Sequence, residues 1–122
     1  MVTILLIEDS AFQRKIISSI VKDLGYDIIT ADNGQEGLER ILNDKPAVIL
    51  SDLLMPEYDG TWVLEQLKAK GIKIPVIIVT SDVQTSTKDH CMSLGAYGYL
   101  NKPVQKDLLK SAIGKALAGG IR

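Results

Sequence analysis

"AVILSDLLMPEYDG", residues 47–60, poses the first question about this chain. An apolar run from Ala47 to Leu50 enters Ser51 and Asp52, with the turn residues Met55-Pro56 and Asp59-Gly60 behind it. A run this short, closed by Pro and Gly, reads as a strand rather than a helix. It lacks polar alternation, so both of its faces are covered, as in a strand inside a parallel sheet. An aspartate at the tip of such a strand is awkward to ionise, because a charge that leaves water without a partner is costly.

Working outward, "TILLIE" (3–8) and "PVIIVTS" (75–81) repeat the pattern, while "YDIITA" (26–31) and "AYGYLN" (96–101) are more mixed. Between the strands lie amphipathic segments. Residues 9–25 carry Phe12, Ile16, Ile17, Ile20, Val21 and Leu24 at helical spacing, with Gly25 as a stop. Residues 33–44 place Leu38, Ile41 and Leu42 on one face; 60–71 place Val63, Leu64 and Leu67 inward and end at Gly71. A weaker helix spans 85–95, and a last one spans 104–119.

Five strand–helix repeats predict an α/β fold. It is a doubly wound, five-stranded parallel sheet built from right-handed crossovers, with helices on both faces. The three apolar strands belong in the centre and the two mixed ones at the edges, which an order of 2-1-3-4-5 satisfies. No internal linker or low-complexity segment interrupts residues 1–122, so one domain is expected; "AGGIR" (118–122) reads as a fraying tail or a linker cut short.

Composition narrows the classes. Of 122 residues, 46% are hydrophobic and 24% charged, and the formal net charge is -1, which gives no global attraction for nucleic acid or anionic lipid. The single Cys91 excludes an internal disulfide or multi-cysteine zinc site. No apolar stretch reaches the roughly 18 residues of a membrane span. The first residues lack a basic segment and cleavage site, so a cytoplasmic chain with no membrane partner is expected.

Open parallel sheets bind ligands beyond the carboxyl ends of their strands. Glu8 and Asp9 follow the first strand there, Asp52 the third, Thr80 and Ser81 close the fourth, and Asn101, Lys102 and Pro103 follow the fifth. Two unit charges about 4 Å apart repel by roughly 4 kcal/mol at an effective dielectric near 20. Three carboxylates on one rim therefore call for protonation or a cation. An all-oxygen set suits Mg²⁺, which usually binds beside a phosphate. Lys102 supplies a second positive point. A carboxylate can then attack phosphorus, and Asp52, on the central strand, is the best placed to do so.

"LIEDS" (6–10), "SDLLMPEYDG" (51–60), "IVTS" (78–81) and "GYLNKP" (98–103) together resemble the receiver domain of two-component response regulators, over essentially the whole chain. The resemblance implies a flavodoxin-like fold and a phosphoacceptor rather than an enzyme. Asp52 takes a phosphoryl group from a histidine kinase. Glu8, Asp9, Asp52 and the backbone carbonyl of Leu54 hold Mg²⁺. Thr80 hydrogen-bonds the phosphoryl group, and Lys102 pairs with it across a cis Lys102-Pro103 peptide. Tyr99 matches an aromatic switch position. The surface of helix 4, strand 5 and helix 5, with Gln105, Lys106 and Lys110, is then read by a target protein or fused output domain, and a phosphatase is a further partner.

Blander roles compete. Glu8 and Asp9 also suit the dipole of the first helix, with Ser10 as its cap, and Thr80, Ser81 or Asp82 can cap the fourth. Tyr99 reads equally as packing. His90 is expected at the surface, Cys91 half-buried, and Trp62 partly exposed. An aspartyl-phosphate hydrolase would carry an Asp-x-Asp pair after the first strand, and a nucleotide carrier a Gly-rich loop there; this chain has neither. A phosphorylation-independent scaffold is the remaining alternative. Leu54 and Asp82 flank the approach of attacking water, so Leu54 is expected to slow self-hydrolysis.

Overall fold

The computed structural model describes residues 2–119. Five strands and five helices alternate through them: β1 (Thr3–Ile7), α1 (Ala11–Asp23), β2 (Asp27–Ala31), α2 (Gly34–Asp44), β3 (Val48–Ser51), α3 (Gly60–Lys70), β4 (Val76–Thr80), α4 (Thr85–Ser93), β5 (Gly98–Asn101) and α5 (Lys106–Gly119). All strand pairs are parallel and the order is β2-β1-β3-β4-β5, as expected from the apolar runs. The register sets Ile7 beside Ser51 and Thr80 beside Asn101, so the strand ends form one rim.

Strand alternation splits the core in two. Leu5, Ile7, Ile49, Val76 and Ile78 pack on one face with Ile41, Val63, Leu64, Leu67 and Cys91. Ile4, Leu6, Val48, Leu50, Ile77 and Val79 pack on the other with Ile17, Val21, Leu109, Ile113 and Ala116. The side-chain period of two in a strand and a helix layer on each side produce this division.

Local chemistry fixes the ends. The Ser10 hydroxyl accepts from the Gln13 amide, so α1 begins at Ala11 rather than at residue 9. Asn33 and Asp59 cap α2 and α3 in the same way. Gly71 closes α3 at φ +68, a left-handed conformation that Gly adopts without a Cβ penalty.

Some expected faces turn outward. Phe12 is 70% exposed and Ile16 39%, although both share the helical period of the buried Ile17 and Val21. The apolar stripe of α1 is therefore wider than the face it packs against the sheet. Leu42 is also largely exposed, and Cys91 is fully buried rather than half-buried. His90 is exposed and Trp62 partly so, with Tyr58 packed edge-on against its ring. Residues 120–122 of the tail lie outside the described residues.

Candidate functional site

β1 and β3 deliver the acids. The Glu8 amide donates to the Ala31 carbonyl at 3.0 Å, and the Asp52 amide to the Ile7 carbonyl at 2.9 Å, extending each strand's ladder by one bond. Both side chains are almost fully buried, whereas Asp9 is exposed. Glu8, Asp9 and Asp52 each offer a carboxylate oxygen, and the three oxygens lie within 4.8 Å of one another. Such an oxygen donor set fits a hard divalent cation such as Mg²⁺.

Lys102 enters from the far side of the sheet. Its ammonium donates to Glu8 Oε1 at 2.5 Å and to Asp52 Oδ2 at 3.2 Å. The Lys102 amide bonds the Thr80 carbonyl at 2.8 Å, and the Lys102-Pro103 peptide is cis. An ammonium has three protons, so one remains for a further acceptor. Asp52 Oδ1 is held by the amides of Leu53 at 2.7 Å and Leu54 at 3.3 Å, which fixes the carboxylate's orientation. Gly60 lets α3 start directly beneath it: a Cβ there would stand 2.6 Å from the Asp52 carbonyl oxygen.

Burial pushes the Glu8 carboxyl above its ordinary range, and the Asp52 charge adds to this; Lys102 and the Ser10 amide pull in the other direction without cancelling it. Burial alone would lower the Lys102 ammonium, but the hydrogen bond to Glu8 and the charges of Asp52 and Glu8 outweigh it, and the net shift is upward. Lys102 thus stays charged between two acids.

Thr80 is fully buried at the tip of β4, and its hydroxyl accepts from the Asp82 amide at 3.2 Å. The Tyr99 hydroxyl donates to the Asp82 carbonyl at 2.7 Å, while its ring packs against the core shared by α2, α3 and α4. Burial, then the charge of Asp82, raises the phenol's pKa, so it is a donor at neutral pH. The cap of α4 is Gln84, with no side-chain bond; Asp82 instead accepts from the Gln84 amide and the Thr87 hydroxyl. Gln105, Lys106 and Lys110 are solvent-exposed at α5.

One contributor was not singled out from sequence, and another, Asn101, was placed on the rim without a role. The Arg14 guanidinium donates to the carbonyls of Glu8 and Asp9 at 2.8 and 3.1 Å, bracing the acidic turn. Its position, one turn past the Ser10 cap and facing back toward Asp9, was the available signal. Asn101 donates from Nδ2 to the Asp82 carbonyl at 2.8 Å and more weakly to that of Thr80 at 3.4 Å. No helix among the described residues is long and apolar enough to cross a membrane.

This sheet order, with acids, lysine and threonine on one rim, defines a doubly wound α/β domain with a polar site at its strand ends, and sequence comparison gives the family. The chain belongs to the response regulator receiver domain family, whose pattern matches residues 4–114. It is 35% identical over 121 residues to the protein PilH of Pseudomonas aeruginosa, covering 98% of this chain and 100% of PilH. It is 33% identical over 110 residues to the transcriptional regulatory protein DltR of Streptococcus agalactiae, covering 90% of this chain and 49% of DltR. The chain therefore spans about half the length of that curated relative. A crystal structure of a response regulator receiver domain protein from Clostridium thermocellum superposes with a TM-score of 0.90 at 28% identity, covering 97% of this chain and 95% of that one.

Proposed function

We propose that this domain accepts a phosphoryl group on Asp52 from the phosphohistidine of a histidine kinase and so switches a partner-binding surface. The observation that carries this reading is the partly buried Lys102 bonded to both Glu8 and Asp52, with an Asp9 oxygen close to those two acids.

A carboxylate oxygen of Asp52 attacks phosphorus, the phosphorus–nitrogen bond breaks, and the imidazole leaves with the bonding pair and takes up a proton. Leu53 and Leu54 amides hold Asp52 in place through Oδ1. Lys102, with one ammonium proton unspent, stabilises charge on the transferred oxygens. Glu8, Asp9, Asp52 and the Leu54 carbonyl would hold Mg²⁺, which when bound neutralises phosphoryl charge and spreads the acids' repulsion over a cation. Thr80 turns its hydroxyl from the Asp82 amide toward the new phosphoryl oxygens. Tyr99, bonded to the same residue, responds to that movement.

The domain turns over no separate substrate; it assists only its own phosphorylation and dephosphorylation. Exposed Leu54 and Val83 in the rim loops, with exposed Phe12 in the first turn of α1, follow the acids and Thr80 and suit an apolar kinase contact there. The face of α4, β5 and α5 is the output surface for a target protein or fused output domain, and a phosphatase would act at the Asp52 rim.

The test is incubation with acetyl phosphate and Mg²⁺, read by intact mass. One phosphoryl group is gained, and none by Asp52→Asn. No gain in the wild-type chain favours a phosphorylation-independent scaffold and removes this reading.

A further inference from the structure

The loop between β4 and α4 has one crowded atom, the carbonyl oxygen of Asp82. Tyr99 donates to it at 2.7 Å and Asn101 Nδ2 at 2.8 Å, so both lone pairs are engaged. The same amide nitrogen reaches the Thr80 carbonyl at 3.4 Å. Both neighbours of Nδ2 are carbonyls, which accept only, so the amide has a single satisfactory orientation. A hydroxyl has one proton and cannot bridge two acceptors; a carboxylate or an aliphatic chain has none to give.

Asp82 is where several movements meet. Its amide reaches the Thr80 hydroxyl. Its carboxylate holds the first turn of α4 through the Gln84 amide and the Thr87 hydroxyl. α4 has little else to fix it: Cys91 is its one buried side chain and its cap makes no side-chain bond. Asn101 stands beside Thr80 in the register and directly precedes Lys102. It therefore ties the strand that carries the lysine to the loop that positions α4.

We propose that Asn101 is a positioning residue: its amide braces the Asp82 carbonyl so that the loop is held in the arrangement that receives the Tyr99 hydroxyl before any phosphoryl group is present. Without the brace the loop relaxes and Tyr99 is released more often. This rests on the receiver reading only for what the switch serves; the brace itself belongs to the unphosphorylated chain.

The test uses unphosphorylated protein carrying ¹³C at the tyrosine Cζ, whose shift reports the phenol's hydrogen bond, with the Tyr99 signal assigned by its loss in Tyr99→Phe. Asn101→Asp keeps the shape and removes the donors; Asn101→Leu removes all polarity. Both are expected to move the Tyr99 signal toward its unbonded position, with the bonded-to-free ratio falling roughly threefold to tenfold, the worth of one net hydrogen bond. A thermal melt confirms that each variant folds. A lowered melting temperature with the Tyr99 signal unmoved means Asn101 is merely structural and overturns the proposal, as does an unmoved signal in both variants. Failure of wild-type protein to take up a phosphoryl group from acetyl phosphate would sink the phosphoacceptor reading and leave the brace result standing.

Discussion

The Lys102 ammonium lies closer to Glu8, at 2.5 Å, than to Asp52, at 3.2 Å. The longer glutamate arm reaches the lysine first, so the cation of the site is shared rather than dedicated to Asp52. Removing it leaves two buried acids facing each other. Breaking a buried pair costs about 3–5 kcal/mol, but the lysine is only partly buried and exposed Asp9 lets water reach the edge of the cluster, so about 1–3 kcal/mol is the expected loss for Lys102→Met in urea unfolding at pH 7. Added Mg²⁺ should stabilise Lys102→Met more than wild type, and Asp52→Asn less, since only the first leaves more uncompensated charge for the ion. Equal Mg²⁺ effects on all three would mean that the ion does not bind among these acids.

The same pair sets a pH dependence. Lys102 in the folded chain lies above its ordinary value of 10.5. Its contribution to stability is fully present below that value and is lost as pH rises through the higher folded one. The stability gap between wild type and Lys102→Met should therefore close only in strongly alkaline solution. A gap already closed near pH 8 would show the ammonium to be less firmly held than its two acceptors require.

The fold could be read early because the three central runs are apolar on both faces, which only a covered parallel sheet explains. The rim followed from chain order alone, since strand ends in this topology converge. Periodicity misled at Phe12 and Ile16, because a helical stripe shows which side is apolar but not how much of it the sheet covers. Arg14 stayed hidden, and Asn101 was placed on the rim without a role, for a different reason. Both act through backbone carbonyls, and a carbonyl partner leaves no mark in the sequence.

Two glycines should respond in opposite ways to alanine. A Cβ at Gly60 would meet the Asp52 carbonyl oxygen at 2.6 Å, and backbone yields little. Gly60→Ala is expected to cost about 1–3 kcal/mol, as overpacking does, and to slow phosphoryl uptake by shifting Asp52. Gly114, exposed within α5, has open space around the same position. Gly114→Ala should stabilise by about 0.5–1 kcal/mol through helix propensity and a less flexible unfolded chain. Denaturant midpoints for the two variants check both signs.

Cys91 is fully buried, and burial, then the charges of Asp82 and Asp59, pushes its thiol up. Thiolate is the reactive form, so the folded chain should react with a disulfide reagent at pH 8 far more slowly than the urea-unfolded chain. α4 carries this residue and has little other anchorage, so labelling in the native state times the opening of that helix. A native rate matching the unfolded one would mean that α4 is already detached.

Leu54 presents a 60% exposed side chain while its amide holds Asp52 Oδ1. It thus stands at the mouth of the site, where water must approach a phosphorylated Asp52. An apolar group there offers water no hydrogen bond, whereas an amide would orient one toward phosphorus. Leu54→Asn is expected to shorten the lifetime of the phosphorylated form roughly threefold to tenfold, the scale of one net hydrogen bond. Leu54→Ala separates the two contributions: if shielding dominates, alanine accelerates decay nearly as much; if orienting water dominates, alanine changes it little. Decay followed by intact mass after removal of acetyl phosphate measures both. Lifetimes of Leu54→Asn and wild type that coincide would leave Leu54 with no part in setting how long the signal lasts.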